Sequence, residues 1–206
     1  MTALQLQPTR DWIRRFAADV EAQVDVLTDL DRQVGDGDFG FNLRSALRVA
    51  LAELDAHPPN RPGEVFTRVS DAFLDTGGTS GPLLGLWFGR LADVGGDGVS
   101  AGELAAACDT ATRAVRRLGK AEVGHKTMVD AMVPAAEALL AAAARSDDVL
   151  PALAAARDAA EQGAQSTREM VARRGRASYV GEHARGVVDP GARAIAMFFA
   201  AAPNAR

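Results

Sequence analysis

Apolar residues in this chain recur three and four positions apart, and runs of β-branched residues at every second position are missing. Trp12, Phe16, Val20, Val24 and Leu27 form one such stripe. A period near 3.6 places these side chains on one face of a helix, whereas a half-buried strand needs a period of two. Alanine, the strongest helix former, is abundant, and aromatic residues make up only 5% of the chain. The pattern therefore predicts an all-α protein.

Eight helices are expected, over 11–30, 41–54, 62–74, 82–95, 101–119, 127–144, 149–173 and 190–201. Thr9 reads as the first N-cap. Pro82 and Pro190 suit first helical positions, and the third helix is read from Pro62. Ser100 with Glu103 reads as a capping box, and Pro134 inside the sixth helix predicts a kink. With 206 residues, the chain is expected to form a single domain over 1–206.

A net charge of −4 gives no basic field for nucleic acid or an anionic membrane. Cys108 is the one cysteine and lies in an apolar helical run, so it reads as a buried, unreactive thiol. The N-terminus lacks a basic-then-apolar signal pattern, and no apolar run is long enough to span a bilayer. A cytoplasmic protein is expected.

In an up-and-down arrangement of antiparallel helices, alternate loops share one end. The loops after the first, third, fifth and seventh helices read RQVGDGDFG, DTGGTSG, GKAEVGHK and RGRASYVGEHARGVVD. The other three, DAHPPNR, DVGGDGVS and RSDDV, look like plain turns. Every unusual segment is thus expected at one rim.

The first of these loops crowds Asp31, Asp36 and Asp38 among glycines, with only Arg32 beside them. Carboxylates that close repel unless a cation neutralises them, and hard oxygen donors without Cys or His suit Mg²⁺ or Ca²⁺. An EF-hand is excluded, because the twelfth position counted from Asp36 is Leu47 rather than Glu. No Walker P-loop occurs. The plain alternative is a turn, with Asp38 or Asn42 capping the next helix. In DTGGTSGPLLG, backbone N–H groups at a helix start could hold phosphate, or the glycines could simply end one helix and start another. Lys126 in GHKTM reads more readily as a solvated lysine than as a ligand. Asp189 in DPGA reads as an N-cap.

Together, LDRQVGDGDFGFN, GGTSGPLLG, GKAEVGHKTMVDAMVPAAEAL and RRGRASYVGE…DPGA resemble, in order, the nucleotide-binding (L) subunit of bacterial dihydroxyacetone kinase, which is equivalent to the C-terminal domain of the single-chain kinases. The resemblance implies a barrel of eight antiparallel up-and-down helices with a nucleotide, ADP or ATP, at one rim. It implies that Asp31, Asp36 and Asp38 hold two Mg²⁺ ions. It implies that Asn42, Gly78, Thr79 and Ser80 lie at the phosphate end, and that Phe39, Gly40, Gly119, Thr127, Met128, Arg176, Asp189, Pro190 and Gly191 also belong to the nucleotide site.

By the same resemblance, the phosphoryl acceptor is held by a separate K subunit through a histidine. His57, His125 and His183 match no such role, so no catalytic residue is expected on this chain. The phosphoryl donor is either ATP or a phosphotransferase-system protein that recharges retained ADP, and a homodimer is compatible with the pattern. Two positions depart from the usual motif: Phe39 stands where the family has His, and His125 where it has Asp. Two other readings are a nucleotide- and Mg²⁺-binding sensor of the same fold and the nucleotide domain of a fatty-acid kinase.

Overall fold

A computed structural model describes residues 2–76 and 78–204. It is all-α, as expected. Among the described residues there are nine α-helices: α1 (Leu6–Ala22), α2 (Val24–Val34), α3 (Phe39–Ala56), α4 (Pro62–Asp75), α5 (Gly81–Leu91), α6 (Ala101–Gly119), α7 (Val129–Ala143), α8 (Val149–Ser166) and α9 (Pro190–Ala200). Two strands of two residues each, β1 (Leu4–Gln5) and β2 (Gly98–Val99), pair antiparallel.

Nine helices replace eight because the first expected helix breaks at Gln23, whose backbone leaves the helical region (φ −116°, ψ 17°). Neither Gly nor Pro marks the break. The Gln23 side chain instead accepts a hydrogen bond from Arg193 of α9 at 3.2 Å. Thr9 is not an N-cap. Helix α1 starts at Leu6, directly after the residues tied into β1, and Thr9 lies inside it with its hydroxyl donating to the Gln5 carbonyl at 2.8 Å. Helix α5 stops at Leu91, short of the expected 95. Helix α8 stops at Ser166 rather than 173, and the chain runs on through short 3-10 turns at Thr167–Glu169, Arg176–Tyr179 and Gly181–Ala184. Pro134 sits inside α7 as read. The capping box at Ser100 and Glu103 forms, and Asp189 caps α9, its carboxylate accepting from the Ala192 N–H at 2.7 Å.

Each helix packs on its neighbours in the chain from α2 to α9, and α9 packs back on α1 and α2, so the contacts close on themselves. Aromatic side chains gather where the circuit closes. Trp12 stacks on Phe198 at 4.4 Å between ring centroids, and its indole N–H donates to the Phe198 carbonyl. Trp87 and Phe88 meet the same Phe198 edge-on. Cys108 is buried in this core, and burial pushes its thiol up to about 12, in keeping with an unreactive group. No helix among the described residues is long and apolar enough to cross a membrane.

Candidate functional site

The connections α2–α3, α4–α5, α6–α7 and α8–α9 meet around one cavity of about 300 Å³. These connections follow alternate helices of the expected arrangement and share one end, as expected. Asp31, Asp36, Asp38, Phe39, Thr79, Ser80, Gly119, Thr127, Met128, Arg176, Asp189, Pro190 and Gly191 all line it.

Gly40, Asn42 and Gly78 do not line it. A Cβ on Gly40 would lie 2.5 Å from both the Thr28 hydroxyl and the Val24 carbonyl, so this glycine lets α3 pack directly on the backbone of α2. Gly78, at φ +97°, and Asn42 face each other, with the Asn42 amide 2.8 Å from where a Gly78 Cβ would be. The pair joins the α4–α5 turn to α3, beside the cavity.

The aspartates are built in from the backbone. Asp31 is buried at the end of α2, where one carboxylate oxygen accepts from the Phe39 N–H at 3.1 Å and the other lies against Gly35. Any side chain at Gly35 would collide with that oxygen. Asp38 precedes α3 but makes no side-chain cap, so the plain capping reading of this loop does not hold. One oxygen from each of Asp31, Asp36 and Asp38 lies within 4.8 Å of the others, with Asp31 buried and Asp36 open to solvent. Three hard donors at this spacing, at the wall of a cavity, fit a divalent cation of the Mg²⁺ type.

The Asp36 carboxylate has a cationic partner that its sequence neighbours do not reveal. Arg32 turns back to Asp29 on its own helix at 2.5 Å, while Arg176 reaches from the α8–α9 connection to pair with Asp36. Arg176 also donates to the Thr79 hydroxyl at 3.3 Å. One guanidinium thus bridges two loops across the cavity mouth.

Lys126 is not solvated. It is 1% exposed, and its ammonium donates to the Thr167 and Val187 carbonyls, each at 2.5 Å. Burial lowers its pKa from the usual lysine value, opposed by the nearby charges of Asp189, Asp130 and Glu169. Asp130, overlooked in the sequence, organises the loop before α7, because its two oxygens accept from the Gly124 and Thr127 N–H groups at 2.5 and 2.8 Å. Burial raises Asp189 to about 7, against the hydrogen bond from Ala192 and with Asp130 adding to the rise. His125 stands beside these groups without joining them: its Nδ1 accepts from the Glu122 N–H at 3.1 Å within its own turn.

The remaining wall, also missed by sequence reading, is apolar. Val34, Leu83, Val115, Ala121 and Val129 line it, next to Arg174, Gly175 and Ala177. In the sequence these apolar residues look like any other members of helical stripes.

A family match falls on this set of loops: the DAK2 domain matches residues 33–204. The chain belongs to the DAK2-domain family. The ADP-binding subunit of the PEP-dependent dihydroxyacetone kinase of Escherichia coli is 36% identical over 188 residues, covering 90% of each chain. A probable dihydroxyacetone kinase of Dictyostelium discoideum is 34% identical over 84% of this chain, which spans only 29% of that longer protein. Among solved structures, the dihydroxyacetone kinase of C. freundii in complex with AMP-PNP and Mg²⁺ superposes with a TM-score of 0.74 at 27% identity, over 98% of this chain and 34% of the other. The family resemblance read from the motifs is confirmed.

Proposed function

We propose that this chain is the nucleotide-binding, phosphoryl-transfer subunit of a kinase for dihydroxyacetone or a related ketose, and that it works with a separate substrate-binding subunit. The observation that carries the reading is the four-loop cavity of a DAK2-domain chain, with three carboxylates at one side and an apolar wall at the other. The E. coli relative is an ADP-binding subunit, and the C. freundii relative was solved with AMP-PNP and Mg²⁺.

On this reading Asp31, Asp36 and Asp38 hold divalent metal, two Mg²⁺ ions by family resemblance, and the metal supplies charge neutralisation on the nucleotide phosphates. Thr79 and Ser80 at the start of α5 offer hydroxyl and backbone donors to the same phosphates. Arg176 is placed to exchange its Asp36 partner for a phosphate oxygen. Leu83, Val115, Ala121 and Val129 offer a dry surface for the flat face of a base. The chain binds, orients and neutralises, and phosphoryl transfer depends mostly on these contributions.

The acceptor sugar belongs on a partner. None of the three histidines lines the cavity, and His57 pairs with Glu53 at the far end of α3. Val123 and Tyr179, on the α6–α7 and α8–α9 connections that border the cavity, are exposed apolar residues and offer a docking surface there. The donor that recharges the site is ATP or a phosphotransferase-system protein.

The test is a reconstituted assay. The purified chain with MgATP and dihydroxyacetone is expected to give no product above background. Adding a cognate substrate-binding subunit, with a phosphotransferase donor if ATP does not serve, is expected to start turnover. Turnover by the chain alone would overturn the division of labour. Tight ADP binding without turnover in any reconstitution would instead identify a nucleotide sensor.

A further inference from the structure

Lys126 combines two costly features. Its backbone sits at φ 60°, in the left-handed region that glycine occupies freely and other residues avoid. Its ammonium is buried, which removes its hydration. A glycine would relieve the first cost, and nearly any shorter polar side chain the second. A residue that keeps both is held there by what its side chain does.

That side chain ties together two distant points of the chain. Thr167 is the first residue after α8, and Val187 lies two residues before the cap of α9. The Lys126 ammonium donates to the carbonyls of both. Between them runs the stretch 168–186, which carries Arg174, Gly175, Arg176 and Ala177 to the cavity. This stretch has little hydrophobic support of its own, since its small core is Ala172, Ala177 and Ala184 against Val34, with Val187 beside them. Segments with few buried apolar contacts open at low free energy unless something else ties them down. Thr127 and Met128, which follow Lys126 directly, line the same cavity.

The two sides of this neck bond each other, Gly186 N–H to the Arg168 carbonyl at 2.7 Å and Asp189 N–H to the Thr167 hydroxyl at 2.9 Å. We infer that Lys126 is a positioning residue: its ammonium pins this closed neck of the 168–186 connection onto the start of α7, and so holds Arg176 over the mouth beside the Thr127–Met128 face of the nucleotide site. The effect on nucleotide rests on the function proposed above. The ordering of the connection does not.

Hydrogen exchange of the chain without ligand, together with calorimetry of MgADP, tests this on Lys126→Met, Lys126→Arg and the unmodified chain. Met keeps length and burial but donates nothing. Lys126→Met is expected to speed amide exchange across 168–186 at least tenfold, to leave α4, α5 and α6 unchanged, and to weaken MgADP about tenfold. Lys126→Arg keeps a cation and is expected to recover most of both. Unchanged exchange in Lys126→Met overturns the inference, as does an Arg variant as loosened as the Met variant. If Lys126→Met does not fold, Lys126→Gln is read in the same way: selective loosening of 168–186 supports the inference, and uniform or absent loosening overturns it. If the unmodified chain binds no MgADP, the nucleotide reading fails, and the exchange pattern alone still decides the role of Lys126.

Discussion

Arg176 and Asp36 lie 140 residues apart in sequence and form an ion pair across the mouth of the cavity. The same arginine donates to Thr79, so three of the four loops that build the site are linked through one guanidinium. The pair also places a positive group where a metal ion would otherwise balance Asp36. Arg176→Ala is therefore expected to act in two directions. Mn²⁺ alone should bind about threefold more tightly, because a competing cation is gone. MgADP should bind about tenfold more weakly, about 1.4 kcal/mol, because a phosphate partner is gone. Calorimetry of both ligands checks this, and two shifts of the same sign would contradict it.

Metal removal should abolish most nucleotide affinity. In EDTA, ADP is expected to bind at least tenfold more weakly than in Mg²⁺. Asp36→Asn should show a similar loss in Mg²⁺. Asp29→Asn, on the exposed face of α2 and paired with Arg32, should stay within twofold of the unmodified chain. Equal losses for the two variants would remove the metal assignment.

His125→Asp should be tolerated. His125 uses Nδ1 to accept the Glu122 N–H, and an aspartate oxygen can accept within the same turn. MgADP affinity and turnover in the reconstituted system should remain within about tenfold. A much larger loss would mean that the imidazole takes part in chemistry.

Asp189 gives a pH signature with a definite sign. Burial raises its pKa from 3.8 to about 7 in the folded chain. Between these values the folded state holds a proton that the unfolded state has released, so the stability contributed by this group is fully present below about 4 and is lost as pH rises toward 7. Denaturant unfolding at a series of pH values should show this decline in the unmodified chain and a flatter profile in Asp189→Asn.

Gly40→Ala should destabilise the fold while leaving the cavity lining intact. The added methyl would press on the backbone of α2 beside Val24 and Thr28. A cost of about 2 kcal/mol is expected, which lowers Tm by roughly 4–8 °C in a chain of this size. Thermal unfolding measures it.

These residues show what a sequence makes legible. Pro62, the Ser100–Glu103 box and Asp189 announce their helix ends because capping is local chemistry. The aspartate loop is legible because three like charges in one short loop need a reason. The break at Gln23 is not, since it involves a contact with Arg193 on the last helix. Neither is the Arg176–Asp36 pair nor the burial of Lys126, whose partners are backbone carbonyls 41 and 61 residues away. Leu83 and Val115 line a cavity, but nothing in a helical stripe distinguishes such a wall from a packed core.

The closure of α9 against α1 has an architectural consequence. Helix α2 delivers Asp31 to the mouth and α9 departs from it at Pro190, so Leu6 and Ala200 both lie toward the opposite end, where the Arg15 side chain meets the Ala201 carbonyl. Polypeptide spliced onto either terminus would emerge behind the cavity and leave its opening clear. On this geometry the four-loop rim and the chain ends face opposite ways, so the opening is left to the loops alone.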